Sequence, residues 1–207
     1  MEMSLSRRKA TSRKGFSLLE VVVSIGVLAI GMTSMAFLVT QSIRGTDRSK
    51  YMSLAATLAS EKLEDLNRWP TADPHIAVPT GSSAGSLTGD IVTTVTVGGV
   101  PTDVNYFDQI AVSVSGGVYS HIVTGLDDAG NTSYTRTTHQ PDGRIQSFTT
   151  AALGTGAWSQ GTVQYKRRWL IERNTPVGGV RRITVRVTLE GPFVRPPVNF
   201  QMSTVRP

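Results

Sequence analysis

The hydrophobic pattern of the chain begins with an unbroken apolar run. From Val21 to Val39 there are 19 consecutive residues without a charge, most of them Val, Leu, Ile, Ala or Met. At about 1.5 Å per residue, a helix of this length nearly spans a hydrocarbon core of roughly 30 Å. The run is longer than the apolar stretch of a typical buried core helix, and no small-residue cleavage site ends it as in a removable secretory signal, so it predicts a membrane anchor.

Beyond the apolar run, the pattern predicts a second, amphipathic stretch of the same helix. Apolar residues recur there at steps of three and four until Pro70 ends the pattern. They are Tyr51, Leu54, Ala55, Leu58, Ala59, Leu63 and Leu66. We expect this stripe to pack against the protein's own globular part, with contact to a partner chain as the alternative.

The remaining chain has the short alternating segments that are typical of β-structure. A loop rich in Pro, Gly, Ser and Thr is predicted up to residue 89. Strands are predicted at 90–97, 109–114, 117–124, 144–150, 162–172, 180–189 and 198–205. In the segment 162–172, Tyr165, Arg167 and Trp169 alternate with polar neighbours, and Ile183 and Val185 do so in the segment 180–189. These two strands are predicted to form an antiparallel hairpin whose apolar face covers the helix stripe.

Charge is concentrated at the two ends of the chain. Residues 1–15 carry five basic side chains and one acidic, residues 16–161 carry seven and twelve, and residues 162–207 carry nine and two. The basic segment before the apolar run predicts that the N-terminus is cytoplasmic and that the rest lies outside. The chain has no cysteine, which excludes a disulfide framework and any thiolate metal site.

A six-residue motif follows the basic segment. Gly15-Phe16-Ser17-Leu18-Leu19-Glu20 resembles the processing site of type IV prepilins and of type II secretion pseudopilins. The resemblance implies that prepilin peptidase cuts between Gly15 and Phe16 and methylates the new N-terminal amine of Phe16. Arg13 and Lys14 then belong to the charged leader. The implied partners are this peptidase, the bacterial inner membrane and other pilin subunits, which the chain joins through its N-terminal helix.

Glu20 lies just inside the apolar run, where an ionised carboxylate costs a few kcal/mol unless it is paired. In the family that the motif resembles, this glutamate pairs with the N-terminal amine of a neighbouring subunit in the filament. The resemblance therefore implies that Glu20 is an assembly residue. The alternative is a side chain that reaches water at the membrane face or is protonated.

Two further segments resemble one subgroup of this family. Residues 54–66, LAATLASEKLEDL, are similar to the segment after the anchor in V-type minor pilins, and residues 168–189 are similar to their closing hairpin. The I-type minor pseudopilins of type II secretion share much of this pattern. The chain departs from major pilins because it lacks their cysteine pair and has no proline in the apolar run.

The expected fold is α+β, a pilin-like lollipop with a long N-terminal helix on a small antiparallel β-sheet. The expected divisions are a cleaved leader (1–15), the membrane and filament-core half of the helix (16–40), its amphipathic half (41–69), a loop (70–89) and a sheet head (90–207). The protein is expected to be a minor structural subunit of a type IV pilus. One alternative is a minor pseudopilin of a type II secretion system, which forms a pseudopilus. The other is a pilus-tip subunit that acts as an adhesin or binds DNA.

Residues with catalytic or metal-binding chemistry are sparse. His75, His121 and His139 are scattered without metal-ligand spacing. The segment LDDAGN offers Asp127 and neighbouring oxygen ligands, but it lacks the pattern of a calcium loop and predicts a turn. We therefore expect no enzyme activity, no cofactor and no metal.

The predicted hairpin also carries a basic face. Four cationic residues occupy its outward positions: Lys166, Arg168, Arg182 and Arg186. We expect this face to be solvated or to dock on an acidic region of a neighbouring subunit. Nucleic acid is the lesser alternative, because the alternation turns Tyr165 and Trp169 inward, where they cannot stack on bases.

Overall fold

The computed structural model describes residues 15, 17–78, 81–115, 118–127, 129–152, 163–190 and 197–207. The chain divides into two compact units, residues 1–46 and 47–207. One helix, α1 (Leu18–Arg68), contributes to both units. In the first unit the described part of the helix has no buried residue.

In the second unit, α1 buries one face. Its buried residues are Ala55, Leu58, Ala59, Leu63 and Leu66. Their spacing of three and four residues puts them on one side of an α-helix, and this side packs on the sheet core. The stripe that the sequence predicts is therefore confirmed as intrachain packing.

Ten strands follow the helix in the part of the chain that the structure describes. They are β1 (Ser83–Gly85), β2 (Val92–Val97), β3 (Val100–Asn105), β4 (Phe107–Ser115), β5 (Val118–Leu126), β6 (Thr132–His139), β7 (Ile145–Thr150), β8 (Val163–Arg173), β9 (Arg181–Glu190) and β10 (Asn199–Arg206). Eight of them form an antiparallel sheet in the order β10-β9-β8-β4-β5-β6-β7, with β1 paired to β8 beside β4. Strands β2 and β3 form a separate two-stranded sheet.

The centre of the core lies on β8 and β9. Trp169 is paired with Val185 and Ile171 with Ile183, and all four side chains are buried against α1. Side chains alternate between the two faces of a strand, so the intervening polar residues face away from the helix. The structure confirms the predicted hairpin and the alternation of buried and outward side chains along its two strands. It also confirms that Tyr165 and Trp169 point inward.

An arginine from the last strand closes the C-terminal end of α1. Nη1 of Arg206 donates to the carbonyl oxygens of Leu66 (3.3 Å), Asn67 (3.3 Å) and Trp69 (2.9 Å). The last carbonyls of a helix have no partner within the helix and carry partial negative charge. A cation from β10 therefore satisfies them and ties the helix end to the edge of the sheet.

The α+β fold, with a long helix packed on an antiparallel sheet, agrees with the prediction. All seven predicted strands are present, with ends within two residues of the prediction. The prediction missed β1, β3 and β6, and the loop expected at 70–89 is wrong at 83–85, where β1 pairs with β8. These strands lack apolar alternation: β1 is Ser-Ala-Gly, β3 contains Pro101, and β6 is rich in threonine. Backbone pairing to a neighbouring strand holds them, and a sequence pattern does not report that pairing.

Candidate functional site

Helix α1 starts at the motif that the sequence analysis singles out. The backbone N–H of Glu20 donates to Oγ of Ser17 at 3.3 Å and to its carbonyl oxygen at 3.0 Å. Ser17 and Glu20 thus stand at the positions of an N-terminal capping pair, Ser-x-x-Glu. A carboxylate in the first turn also faces the positive end of the helix dipole. Glu20 therefore supports the helix start, a local role that the sequence analysis missed.

Gly15 lies in open surroundings. A Cβ atom placed on it would meet no atom within 4 Å among the described residues. Packing among the described residues therefore does not require glycine at this position. Phe16 and the first 14 residues of the expected leader, which include Arg13 and Lys14, lie outside the described residues.

The N-terminal part of α1 presents apolar side chains on all sides. The large apolar residues between Leu18 and Ile43 are each 44–84% exposed. The hydroxyls of Thr33, Ser34 and Thr40 donate to the carbonyl four residues earlier, so they need no outside partner. The helix is long and apolar enough to cross a membrane. These properties fit membrane anchoring.

A buried ion pair joins the sheet to α1 in the second unit. Arg167 on β8 lies opposite Asp108 on β4, and each side chain is 5% exposed. Nε and Nη2 of Arg167 donate to the Asp108 carboxylate at 3.0 and 2.7 Å, and Nη1 donates to the carbonyl oxygen of Leu58 at 2.8 Å. Arg167, which the sequence pattern places on the inward face of its strand, thus binds both the Asp108 carboxylate on the sheet and the backbone of α1.

We expect Asp108→Ala to destabilise the globular part by about 3–5 kcal/mol, because it leaves the Arg167 cation buried without its counter-charge. Asp90→Ala is the matched control, since Asp90 pairs with cations on the exposed face and its loss should cost about 1 kcal/mol or less. Urea denaturation of residues 45–207 measures both. Equal losses for the two variants would contradict a dominant role for the buried pair.

The four cations of the basic face lie on one side of β8 and β9, and each has a partner within the chain. Lys166 and Arg168 bind the two oxygens of Asp90, each at 2.7 Å, and Arg182 binds Glu172 at 2.7 Å. Arg186 donates to Asn199 at 2.9 Å and to the carbonyl of Leu87. Desolvation alone would raise the pKa of Asp90, but hydrogen bonds from Lys166 and Arg168 outweigh it and lower the pKa. These contacts reduce the positive charge that the face offers to a phosphate backbone.

The segment around Asp127 forms the predicted turn. Oδ1 of Asp127 accepts hydrogen bonds from the backbone N–H groups of Ala129 at 3.0 Å and Asn131 at 2.7 Å. The backbone hydrogen bond from Asn131 is the main cause that lowers the pKa of Asp127. The carboxylate therefore closes a turn, as an aspartate commonly does. Asp128 lies outside the described residues.

Two of the histidines are close together, although the sequence analysis treated them as scattered. Strand pairing places Tyr119 of β5 opposite His139 of β6, and His121 lies two residues along the same face of β5. Nε2 of His121 and Nε2 of His139 lie 3.5 and 3.9 Å from the carboxylate oxygens of Glu61 on α1. This cluster could not be predicted from the sequence, because β6 lacks the apolar alternation that predicts a strand.

Burial shifts the pKa values of His121 and Glu61. Desolvation, with the positive charge of Arg167 and the neighbouring His139, lowers the pKa of His121 to about 4. Desolvation also raises the pKa of Glu61, against the opposing effect of Arg167. Nδ1 of His121, Nε2 of His139 and the hydroxyl of Tyr119 are buried, and none has a hydrogen-bond partner within the described residues. Leaving a buried polar group unsatisfied costs about 1–3 kcal/mol, so such a cluster calls for an explanation.

Comparison with known proteins gives one match, at the N-terminus. Residues 11–36 match the model of the prokaryotic N-terminal methylation motif. No curated protein and no solved structure gives a significant match to the chain. The matched residues include Gly15, Ser17 and Glu20 and the first part of the apolar helix. The motif implies processing by prepilin peptidase and assembly with other pilins. The chain carries the type IV prepilin-like signal.

Proposed function

We propose that the mature chain is a minor structural subunit of a type IV pilus. The methylation motif at residues 11–36 is the observation that carries this proposal. Before assembly the chain spans the bacterial inner membrane once, with its N-terminus in the cytoplasm and its sheet in the periplasm. The five basic residues that precede the apolar run support this orientation.

In this proposal, prepilin peptidase cleaves between Gly15 and Phe16, and Phe16 becomes the methylated first residue. Glycine at the cleavage site fits a backbone that an enzyme must grip closely. The open surroundings of Gly15 support the same view, because nothing within the described chain selects against a larger side chain there.

The minor-subunit assignment rests on the segments that resemble V-type minor pilins, and the pseudopilin alternative rests on the same segments. Both segments belong to the hydrophobic core of the second unit. Residues 54–66 pack on the sheet, and residues 168–189 contain most of β8 and β9. Deletion of the gene distinguishes the two alternatives. Loss of surface pili with intact protein secretion favours the pilus, and loss of secretion with intact pili favours the pseudopilus.

The tip adhesin or DNA-binding alternative has weaker support. All four cations of the basic face have partners within the chain, and both inward aromatic side chains are buried. Retention of DNA by the isolated residues 45–207 at physiological salt would favour this alternative over a purely structural subunit.

We expect Gly15→Leu to block cleavage, because the larger side chain hinders the peptidase at the scissile bond. Intact-mass analysis of protein from the native host should give a wild-type chain that starts at Phe16 with a methylated amine, and a variant that retains the leader. Gly26→Leu is the control, since Gly26 is an equally open position inside the helix and its replacement should leave cleavage intact. A wild-type mass with a different start would contradict the proposed site.

A further inference from the structure

Donor atoms from α1, β5 and β6 converge in the second unit. Glu61, His121 and His139 each offer one ligand atom, and these atoms lie within 4.8 Å of one another. We propose that these three residues bind one divalent transition-metal ion, for which Zn²⁺ is the best fit. This site is separate from the N-terminal signal and does not depend on the proposed pilus function.

The spacing of the donors suits a shared metal ion better than direct contact. Oxygens of Glu61 lie 3.5 Å from Nε2 of His121 and 3.9 Å from Nε2 of His139. Direct N–H···O hydrogen bonds are shorter, about 2.7–3.2 Å. Ligands of a tetrahedral zinc ion, each about 2.0–2.2 Å from the metal, lie roughly 3.4 Å from one another. Small side-chain movements would bring all three donors to that spacing.

The types of donor select the metal. Two imidazoles and one carboxylate form a common zinc ligand set that leaves a fourth position for water. Calcium and magnesium prefer oxygen ligands and would leave both imidazoles unused.

The surroundings of the cluster are also compatible with a cation. The positive charge of Arg167 acts on both Glu61 and His121, and the Asp108 carboxylate compensates this charge. The ring of Tyr119 lies 5.5 Å from that of His121 and 5.0 Å from that of His139, so it restricts the orientation of both imidazoles. A bound metal would give the buried Nε2 of His139 the partner that it lacks within the described residues.

The proposed ion has a structural consequence. Glu61 belongs to α1, whereas His121 and His139 belong to neighbouring strands of the sheet. One metal ion would therefore cross-link the helix to β5 and β6, in a chain that has no cysteine for a disulfide. Binding to the folded state alone stabilises that state, so zinc should raise the melting temperature.

The test is zinc binding by the full-length protein in detergent, after removal of metals with a chelator. Zn²⁺ is titrated in competition with a chromophoric chelator, and X-ray absorption reports the ligands of the bound ion. We expect one zinc per chain, a shell that contains two imidazoles, and a higher melting temperature that a chelator reverses.

Three variants identify the ligands. His139→Gln and Glu61→Gln alter partly exposed side chains and should fold, yet each should weaken zinc binding by about tenfold or more. His75→Gln is the matched control, because His75 stacks on Trp69 and is the remaining histidine of the chain. It should bind zinc as tightly as wild type. The proposal is overturned if wild type shows no saturable binding, if binding is unchanged in His139→Gln, or if the bound ion has no imidazole ligand.

Discussion

Ile183→Asp should prevent residues 47–207 from reaching a stable folded state. Ile183 is fully buried, pairs with Ile171 across β8 and β9, and belongs to the core that packs on α1. The substitution removes a core side chain, at about 2–5 kcal/mol, and buries an unpaired carboxylate, at several more. A domain of this size has only about 5–15 kcal/mol of stability.

Arg186→Ala is the control for this substitution. Arg186 lies on the opposite face of the same strand, where its contacts are to Asn199 and to the carbonyl of Leu87. We expect its loss to change the free energy of unfolding by about 1 kcal/mol or less. Thermal melts of residues 45–207, followed by circular dichroism, measure both variants. If both variants melted like wild type, the assignment of faces on β9 would be wrong.

Glu20→Val should exclude the processed chain from filaments while leaving cleavage and membrane insertion intact. The anchor only becomes more apolar, so insertion is not hindered. If Glu20 pairs with the N-terminal amine of a neighbouring subunit, an incoming amine would find no counter-charge in a medium of low dielectric constant. Glu20→Asp should be intermediate, because the charge is kept but held about one methylene short.

The capping position of Glu20 makes Glu20→Gln the decisive variant. Glutamine can occupy the third helical position of a capping pair as glutamate does, but it carries no charge. The amount of processed protein is compared in membrane and sheared-pilus fractions. Exclusion of both Glu20→Val and Glu20→Gln supports the pairing role. Normal incorporation of Glu20→Gln would show that entry into the filament does not require the charge of Glu20.

Sequence patterns predicted those parts of the fold that follow from local periodicity. The apolar stripe from Ala55 to Leu66 repeats over several helical turns, and the apolar alternation in β8 and β9 repeats over several residue pairs. Buried positions in these elements can therefore be recognised in the sequence. Strand β6 gave no such signal, because its threonine-rich faces are held by backbone pairing to β5 and β7. Without a predicted β6, the sequence does not indicate that His121 and His139 lie close together.

The buried pair was partly predictable. Arg167 lies among apolar residues on the inward face of β8, and a buried cation requires an acidic partner. The sequence could not identify that partner, because Asp108 is 59 residues away and is defined only by the register of β4 against β8. The N-terminal motif is the opposite case, since it consists of adjacent residues and needs no tertiary contact to be recognised.

The contact of Arg167 with the carbonyl of Leu58 has a mechanical consequence. The guanidinium of Arg167 binds Asp108 on the sheet and donates a hydrogen bond to the backbone of α1, in the middle of the part of the helix that packs on the sheet. A pull along this part of α1 would load that contact in shear, together with the Arg206 contacts at the helix end. Apolar side chains can slide past one another with little directional resistance, whereas hydrogen bonds to a charged group resist displacement at fixed geometry. Tension on this part of the helix would therefore be transmitted to β8 and β4 through the Arg167–Asp108 pair.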